Sequence, residues 1–410
     1  MTSDRFAKLD AEDPLAGLRE SFELPAGKVY LDGNSLGALP RGVQERISKL
    51  LQQEWGEDLI ASWNGHNWID LPRKVGEKIA PLVGAAPGQV ICTDSISVNL
   101  FKLISTALAL RPGRTVVLSQ EDNFPTDLYM AEGLAGLLGQ ERCQLRAVSA
   151  NRLLSSLDED VAVLMLTQVN FRDGRLHDMA GITKAAQAKG ALVLWDLAHS
   201  AGVIPIELDN WKVDMAVGCG YKYLNGGPGA PAFLFLAQRH QDQVTQPLSG
   251  WMGHKDAFEF SPEYQPAAGM QRYLAGTPGI LGMAALDAAL DVFEGISLDA
   301  IRKKSSALTQ CFIDQILARG LPGIRLLSPR RAEHRGSQVS LTHPQGFAIS
   351  QALIERGIIV DYRAPGIIRF GFSPLYNRFT DVDRAVTALS ELLRDQDYLA
   401  TRFTNKAVVT

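Results

Sequence analysis

A lysine stands between an apolar segment and a glycine-rich loop near the middle of the chain. Residues 216–229 read AVGCGYKYLNGGPG, and the lysine among them is Lys222. Most lysines are solvated surface groups, and a lysine at the end of a strand can extend its amine to water. An amine that is partly withdrawn from water can instead attack a carbonyl carbon as a nucleophile. The polar residues that accompany Lys222 favour the second interpretation.

An aspartate and a histidine follow another apolar run upstream of this lysine. Asp196 comes directly after the run 191–195, and His199 follows three residues later. Ligands of open α/β sheets bind at the carboxyl ends of the strands, so we expect both side chains to lie near a ligand. A helix N-cap and a pair of metal ligands are the alternatives. No further cluster of carboxylates or histidines accompanies the pair, and the sequence therefore predicts no metal site.

Two further junctions between a strand and a helix carry groups that suit an anionic, flat ligand. Ser95 and Ser97 offer hydroxyls and free backbone N–H groups at the start of a predicted helix, where phosphate or carboxylate groups bind. A serine there can also be an ordinary helix cap. At the second junction Phe124 precedes Pro125, which suits the first helical position. Phe124 is either a core residue or one wall of a site for a flat ring.

The elements that must position these residues form an α/β domain. From about residue 85 to 240, short apolar runs rich in β-branched residues alternate with helix-like segments, which is typical of buried strands joined by helical crossovers. We predict a seven-stranded, mostly parallel sheet flanked by helices. The predicted strands are 89–93, 115–119, 144–148, 161–166, 191–196, 215–218 and 232–236.

The segments on either side of this sheet predict an arm and a second domain. The spacing of apolar residues over 41–55 predicts a helix with one buried stripe. After residue 279 we expect helices at 279–295 and 297–319, strands near 337–341 and 358–362, and a helix that includes residues 382–393. The predicted units are an N-terminal arm and helix at 1–55, a large domain at 56–278 and a smaller α+β domain at 279–410.

Composition and charge exclude several classes of protein. The 410 residues are 46% apolar, which excludes a disordered or fibrous chain. The formal charge is −4 and neither sign is gathered in blocks, so we expect no nucleic-acid or membrane partner. The 4 cysteines lie far apart, which argues against a zinc site and a disulfide framework. With neither a signal peptide nor a membrane span evident, we expect a cytoplasmic location.

The combined pattern resembles the fold type I pyridoxal-phosphate enzymes of the aspartate-aminotransferase superfamily. An aspartate at a strand end, a histidine three residues later, a lysine some two dozen residues further on and a serine junction before a helix are shared with that superfamily. Within it, the chain is most similar to the kynureninase family. The motifs that carry this resemblance are residues 31–37, 97–100, 123–127, 195–202, 220–225, 250–254, 275–278 and 368–377.

The resemblance implies an activity, a cofactor and a mode of assembly. The implied reaction is the hydrolytic cleavage of L-kynurenine to anthranilate and L-alanine, and of 3-hydroxykynurenine to 3-hydroxyanthranilate, in tryptophan catabolism or NAD biosynthesis. The implied cofactor is pyridoxal 5′-phosphate. The family also implies a homodimer in which two subunits build each active site around a small-molecule substrate.

The resemblance further assigns roles to individual residues. Lys222 would hold the cofactor as a Schiff base and, with Tyr221, carry protons, while Asp196 would pair with the pyridine nitrogen. Arg369 would bind the substrate's α-carboxylate through its planar fork. The other residues expected to contact the cofactor within the subunit are Ile96, Ser97, Phe124, Pro125, Thr126, Asp127, Thr167, His199 and Tyr221.

Two groups of residues are expected to complete the site. Trp251 and Thr277 would reach the cofactor phosphate from the neighbouring subunit, and Ser35 and His66 would lie near the aromatic end of the substrate. Animal members of the family have an asparagine at the position of Thr277. A threonine hydroxyl is shorter, so we expect unsubstituted L-kynurenine to be preferred over its 3-hydroxylated form.

Two other classes of function compete with this interpretation. A cysteine desulfurase or an aminotransferase of the same fold is the main alternative, and a desulfurase needs a reactive cysteine on a mobile loop. Cys219 lies close to the cofactor lysine and Cys311 lies in a predicted helix, so neither suits that role. A catalytically silent protein of this fold would have no reason to retain Lys222, Asp196 and Arg369 together.

Overall fold

The structure is a computed structural model that describes residues 3–403. Its α-helices are α1 Ser3–Ala11, α2 Arg41–Lys49, α3 Ser62–Gly65, α4 Leu71–Ile79, α5 Ile96–Leu110, α6 Pro125–Leu138, α7 Met179–Ala188, α8 Gln238–Gln241, α9 Ile280–Ala289, α10 Leu298–Arg319, α11 Gly346–Glu355 and α12 Phe379–Asp395. Its strands are β1 Phe22–Glu23, β2 Val29–Tyr30, β3 Leu39–Pro40, β4 Val90–Cys92, β5 Val116–Gln120, β6 Gln144–Val148, β7 Val161–Thr167, β8 Leu192–Asp196, β9 Met215–Cys219, β10 Ala232–Leu236, β11 Arg325–Leu326, β12 Gln338–Thr342, β13 Ile358–Ile359, β14 Asp361–Arg363 and β15 Ile367–Gly371.

A seven-stranded sheet forms the centre of the large domain. The strand order is β4-β10-β9-β8-β7-β5-β6, and the neighbours from β9 to β6 run parallel. Strand β10 runs antiparallel to both β4 and β9. Six of the seven strands are buried along their whole length, which explains why they appear in the sequence as continuous apolar runs. Strand β6, at the edge of the sheet, is buried only at its last residue. The predicted seven-stranded, mostly parallel sheet is confirmed.

Apolar residues cover both faces of this sheet, because successive side chains of a strand point to opposite faces. On one face Val193 and Phe233 belong to a core that extends to α4 and α9. On the other face Leu194 and Leu234 pack with residues of α5, such as Leu103. The sheet is therefore held between two apolar layers, and its strand ends are the part left open to a ligand.

A second, smaller core surrounds a four-stranded antiparallel sheet. The strand order is β11-β12-β15-β14, and α10, α11 and α12 pack beside it. Phe312, Phe370 and Leu389 lie in this core. Phe6 from α1 and Val29 from β2 belong to the same core, so the beginning of the chain packs on its carboxyl-terminal part. Helix α9 packs on α2 and α4, although the predicted boundaries at 55 and 278 assign these three helices to three different units. Those boundaries stay predictions.

Two predicted elements are divided in the structure. The predicted helix over 41–55 is α-helical to Lys49 and continues as a π-helical turn over Leu50–Trp55. The predicted strand at 358–362 is split into β13, which pairs with β2, and β14, which joins the four-stranded sheet. The chain changes sheets at Val360, a switch that local periodicity does not reveal. Among the described helices, none has both the length and the apolar character needed to cross a bilayer.

A close approach between a helix and a strand yields a test of the large-domain core. A methyl group added at Gly76 in α4 would lie 2.3 Å from the carbonyl oxygen of Val90 in β4. We expect Gly76→Ala to lower the free energy of unfolding by about 1–3 kcal/mol, as overpacking does. Gly133 of α6 is the matched control because nothing lies within 4 Å of a methyl group there. Gly133→Ala should raise that free energy by about 1 kcal/mol through helix propensity. Urea unfolding of both variants measures the difference, and equal stabilities would contradict the packing of α4 on β4.

Candidate active site

Ten of the predicted site residues line one cavity of about 290 Å³ at the carboxyl ends of the parallel strands. Thr167, Asp196 and Cys219 are the last residues of β7, β8 and β9, which is why they meet at one edge of the sheet. The lining residues are Ser95, Ile96, Ser97, Phe124, Thr126, Asp127, Thr167, Val169, Phe171, Asp196, Ala198, His199, Cys219, Tyr221, Lys222, Ala230 and Ala232.

The amine of Lys222 lies among polar and aromatic groups inside this cavity. Its Nζ is 3.1 Å from His199 Nε2 and 6.0 Å from the centre of the Phe124 ring. Burial, and next the charge of Lys222, hold the pKa of His199 well below its usual range. The imidazole is therefore neutral near pH 7, and Nε2 can accept a hydrogen bond from the lysine amine.

The loop that carries Lys222 is held by the N-terminal motif at residues 31–37. Gly37 donates its N–H to the carbonyl oxygen of Tyr221 at 2.8 Å. A methyl group at Gly37 would lie 2.3 Å from the carbonyl oxygen of Lys222, so only glycine fits this approach. Asn225 closes the loop in the left-handed region, with φ of 58°. The motif thus has a physical role that the sequence alone did not reveal, namely to fix the lysine loop.

Two buried carboxylates face the cavity. The Asp196 Oδ1 accepts the N–H of Ala198 at 2.7 Å, and burial raises the pKa of Asp196 while Lys222 opposes the shift. The pKa of Asp127 is also raised, by burial first and then by the charge of Asp196. Asn123 connects this pair of acids to the sheet, since it donates to Asp127 Oδ2 at 3.0 Å and accepts the N–H of Thr167 at 2.7 Å. Sequence reasoning assigned no role of its own to Asn123.

The start of α5 supplies free N–H groups to the cavity. Ser95 is the N-cap, and its hydroxyl oxygen accepts the N–H of Val98 at 3.4 Å. The N–H groups of Ile96 and Ser97 lie in the first turn, where a helix leaves its donors without intrahelical partners. Both residues line the cavity. This end of the cavity therefore suits a phosphate group.

An aromatic wall closes one side of the cavity. Phe124 is the N-cap of α6, and Pro125 is the first residue of that helix, as predicted. The ring of Phe171 meets that of Phe124 edge to face, with centroids 5.3 Å apart and an interplanar angle of 82°. Pro125 does not line the cavity but sets the start of the helix. Phe171 and Val169 were not predicted, because they lie on a loop after β7 that carries no sequence signal.

Arg369 lies next to the cavity on β15 of the smaller domain and is 2% exposed. Its Nη1 donates to the carbonyl oxygen of Phe171 at 2.7 Å, which connects it to the aromatic wall. Its Nη2 donates to Ser35 Oγ at 3.2 Å and also to Asp361. Its Nε has no hydrogen-bond partner within residues 3–403. Ser35 is thus a neighbour of the arginine, and Asp361 is a partner that sequence reasoning missed.

Besides Pro125, Arg369 and Ser35, three further predicted residues do not line the cavity of this chain. His66 Nε2 lies 2.7 Å from Asp58 Oδ2 on an outer loop. Trp251 packs against Phe258 and Phe260, with ring centroids 5.4 and 5.9 Å away. Thr277 is exposed. For Trp251 and Thr277 the prediction was contact with a partner's site, so their distance from this cavity agrees with that expectation without testing it.

Comparisons with known proteins decide the family. A model of the kynureninase C-terminal domain matches residues 301–389. A kynureninase of Burkholderia pseudomallei (strain 1106a) is 49% identical over 416 residues, which cover 100% of both chains. The kynureninase of Pseudomonas fluorescens is 47% identical and covers 98% of each chain. The chain belongs to the kynureninase family. The resemblance inferred from the motifs is confirmed.

Solved structures support the fold of this kynureninase-family chain. A cysteine desulfurase from Thermococcus onnurineus NA1 has a TM-score of 0.78 at 20% identity, over 92% of this chain and 98% of the other. A C-DES mutant with glycine covalently linked to its PLP cofactor has a TM-score of 0.79 at 18% identity, over 91% and 99%. At these identities the likeness concerns the fold alone. Since the full-length relatives are kynureninases, the desulfurase alternative is not favoured.

The burial of the cysteines gives a direct test against desulfurase chemistry. Cys92, Cys143 and Cys219 are buried, and Cys311 is half-buried. Burial raises the pKa of all four thiols, to about 11 for Cys311. Because the thiolate is the reactive form, we expect Ellman's reagent to react slowly with the native protein and with all four thiols in denaturant. Fast reaction of Cys219 in the native protein, located by peptide mapping, would contradict this arrangement.

Proposed function

We propose that the chain binds pyridoxal 5′-phosphate in this cavity and hydrolyses L-kynurenine to anthranilate and L-alanine. The observation that carries the proposal is the meeting of the Lys222 amine and the Asp196 carboxylate in one cavity, opposite the free N–H groups of α5. These are a nucleophilic amine, a buried anion and a phosphate-binding helix end. Together they match the three chemically distinct parts of this cofactor, namely its aldehyde, its ring nitrogen and its phosphate.

The residues that line the cavity fit such a group. His199 Nδ1 and Asp127 Oδ1 are buried and have no hydrogen-bond partner within the described part of the chain. Buried polar atoms are nearly always paired, so these two point to a ligand that supplies partners. The volume of about 290 Å³ is at the lower end of the usual range for small-ligand sites. In the proposed complex the substrate would bind between the cavity and Arg369, which lies next to it.

Each part of the cofactor has a proposed contact. Lys222 would hold the aldehyde carbon, and Asp196 would keep the ring nitrogen protonated. Phe124 and Phe171 offer an aromatic wall to the ring face, and Ile96 and Ser97 offer N–H groups to the phosphate. The remaining proposed contacts are Thr126, Asp127, Thr167, His199 and Tyr221, with Pro125 as the start of the helix behind them.

The reaction needs a carboxylate anchor and proton carriers from the protein. When bound, the cofactor supplies an electron sink for the α-carbon of the substrate. Arg369 would bind the α-carboxylate, for which its unpaired Nε is available. Lys222 would move the α-proton. Burial raises the pKa of Tyr221, so its hydroxyl stays protonated and can donate a proton to the departing side chain. Such acid–base help contributes about 10²–10⁴ in rate.

We further propose that the active unit is a homodimer in the cytoplasm, acting on kynurenine from tryptophan breakdown. The support for the dimer lies in Trp251, Phe258 and Phe260, a cluster of aromatic rings of which the two phenylalanines are 61% and 70% exposed. Exposed aromatic clusters of this kind mark interaction surfaces. In the proposed dimer Trp251 and Thr277 reach the phosphate of the partner's cofactor, and His66 lies toward the aromatic end of the substrate. The bond between Ser35 and Arg369 favours a position for Ser35 near the α-carboxylate instead of the expected aromatic end.

The cofactor assignment is tested by trapping the bound aldehyde. Borohydride reduction of the loaded protein should attach a pyridoxyl group to Lys222, because within residues 3–403 its amine is the lysine amine that faces the cavity. Peptide mass mapping locates the label. Lys78→Ala serves as a control, since Lys78 is bonded to Asp291 at 2.6 Å in the ion-pair cluster around Asp287 and should leave labelling unchanged. A label found on another lysine would exclude this function.

The shared site is tested by mixing two inactive variants. Lys222→Ala removes the amine, and Trp251→Ala removes the ring proposed to reach the partner. A mixed dimer can contain one intact site, so refolding the two together should restore about a quarter of the parent's activity if subunits pair at random. Each variant refolded alone is the control. A fully active monomer in sedimentation experiments would contradict the dimer.

Substrate preference is tested at Thr277. The threonine hydroxyl is short, and we expect unsubstituted L-kynurenine to have the higher kcat/KM. Thr277→Asn should shift the ratio of kcat/KM values toward 3-hydroxykynurenine. Thr401→Asn, at an exposed position near the carboxyl terminus, is the matched control. A parent enzyme that prefers 3-hydroxykynurenine by tenfold, or about 1.4 kcal/mol of transition-state binding, would show that another residue meets the ring hydroxyl.

A further inference from the structure

Lys102 is a completely buried lysine beside the cavity, and no step proposed above uses it. It lies on α5, two turns from the free N–H groups, and its side chain is 0% exposed. Its Nζ lies 2.5 Å from Asp94 Oδ2 and also donates to the carbonyl oxygen of Tyr273. Lysine is almost never fully buried unless it is paired, so this position calls for a physical reason.

Asp94 is fixed at the edge of the phosphate-binding end of the cavity. It directly precedes Ser95, and its carbonyl oxygen accepts the N–H of Ala232 at 2.9 Å; both of these neighbours line the cavity. Its φ of 50° lies in the left-handed region, which aspartate tolerates better than most residues. Thr93 donates its hydroxyl to the same Oδ2 at 3.0 Å. The carboxylate is therefore held in one orientation.

A fixed carboxylate at this place conflicts with the binding of an anion. The first turn of α5 offers N–H groups to a phosphate, and a negative charge one residue before Ser95 would oppose the binding of that phosphate. The Asp94 side chain is 29% exposed, so water screens part of its charge, and the rest opposes an anion bound at the first turn of α5. The ammonium of Lys102 contacts the very oxygen that Thr93 orients, and cancels this charge.

The same ammonium holds a second segment. Tyr273 is 0% exposed, and its hydroxyl lies 2.9 Å from Thr106 Oγ1, one turn beyond Lys102 on α5. The tyrosine is thus bound to α5 at its carbonyl group and at its hydroxyl. The chain continues from Tyr273 to Thr277, which is proposed to reach the partner's phosphate. One buried charge therefore connects both segments that the proposed function assigns to phosphate binding.

We propose that Lys102 is a positioning residue for phosphate recognition, acting by neutralising Asp94 beside the start of α5. The inference rests on the proposed function only in that the anion is the phosphate of pyridoxal 5′-phosphate. Lys102 does not touch the cofactor. Its effect is specific for the doubly charged phosphate and absent for the same aldehyde without that group.

The test compares two aldehydes, pyridoxal 5′-phosphate and pyridoxal, titrated into the cofactor-free protein and followed by imine absorbance. In Lys102→Met the Kd for pyridoxal 5′-phosphate should rise at least about tenfold, because a carboxylate is left unpaired beside the phosphate. The Kd for pyridoxal should stay within about threefold, since pyridoxal carries no phosphate. The ³¹P resonance of the bound cofactor should shift as well.

Two further variants separate charge from structure. Asp94→Asn keeps a residue that tolerates the left-handed region and should bind pyridoxal 5′-phosphate no more weakly than the parent. The double variant Lys102→Met/Asp94→Asn removes both charges and should return to within about threefold of the parent. Lys304→Met is the matched control. Lys304 is also buried, with its Nζ 2.6 Å from Asp13 Oδ2, but it belongs to the smaller domain and does not line the cavity. It should lose thermal stability without a change in Kd.

Each possible result either supports or overturns the proposed role of Lys102. Any of three results overturns the inference. The folded Lys102→Met protein could keep the parent's Kd for pyridoxal 5′-phosphate, or its Kd for pyridoxal could rise by the same factor. The double variant could also bind pyridoxal 5′-phosphate as weakly as Lys102→Met does. If Lys102→Met does not fold, Asp94→Asn decides it, and a tenfold weaker Kd there overturns it. A parent protein that forms no imine with either aldehyde overturns the proposed function itself, which the parent titration reveals separately.

Discussion

The site depends on keeping a carboxylate charged in a place where burial opposes the charge. Asp196 is 3% exposed, and removal from water raises its pKa. Two features counter this shift, the positive charge of Lys222 and the N–H of Ala198. Without such partners, the free energy needed to bury the charge would be a large part of a protein's net stability. The lysine, the aspartate and the turn after β8 therefore form one electrostatic unit, and the rest of the site is arranged around it.

Strand direction explains how residues so distant in sequence meet. Parallel strands β7, β8 and β9 end at the same edge, so their last residues face one cavity. Strand β10 runs the opposite way, and its beginning, at Ala232, returns to that edge. Small side chains at Ala230 and Ala232 leave room for a ligand there. Because β10 runs opposite to its neighbours, its first residue lines the cavity beside groups that come from the ends of parallel strands and the starts of helices.

Much of this arrangement could be predicted from the sequence, because strand ends and helix starts have local signals. The seven strands of the large sheet, the lysine loop and the serine junction were all evident from apolar runs, glycines and caps. Asn123, Phe171 and Asp361 were missed, since their roles arise from contacts between segments far apart in the chain. The contacts predicted for Trp251 and Thr277 are with a partner subunit and the one predicted for His66 is with the substrate, so these three stay predictions.

The N-terminal motif joins two parts of the molecule that, in the proposed function, act on neighbouring atoms of the substrate, its α-carboxylate and its α-carbon. Leu31 belongs to the core of the smaller domain, which also holds Arg369, whereas Gly37 is bonded to the loop of Lys222. The segment turns at residues 32–36, where the N–H groups of Ser35 and Leu36 bond to the carbonyl oxygen of Asp32, and even fully extended it would reach at most about 20 Å. A rotation of the smaller domain that carried Arg369 outward would first have to open this turn and, beyond that reach, would pull on the lysine loop. A movement that displaces Arg369 from the carboxylate can therefore also displace the amine of Lys222.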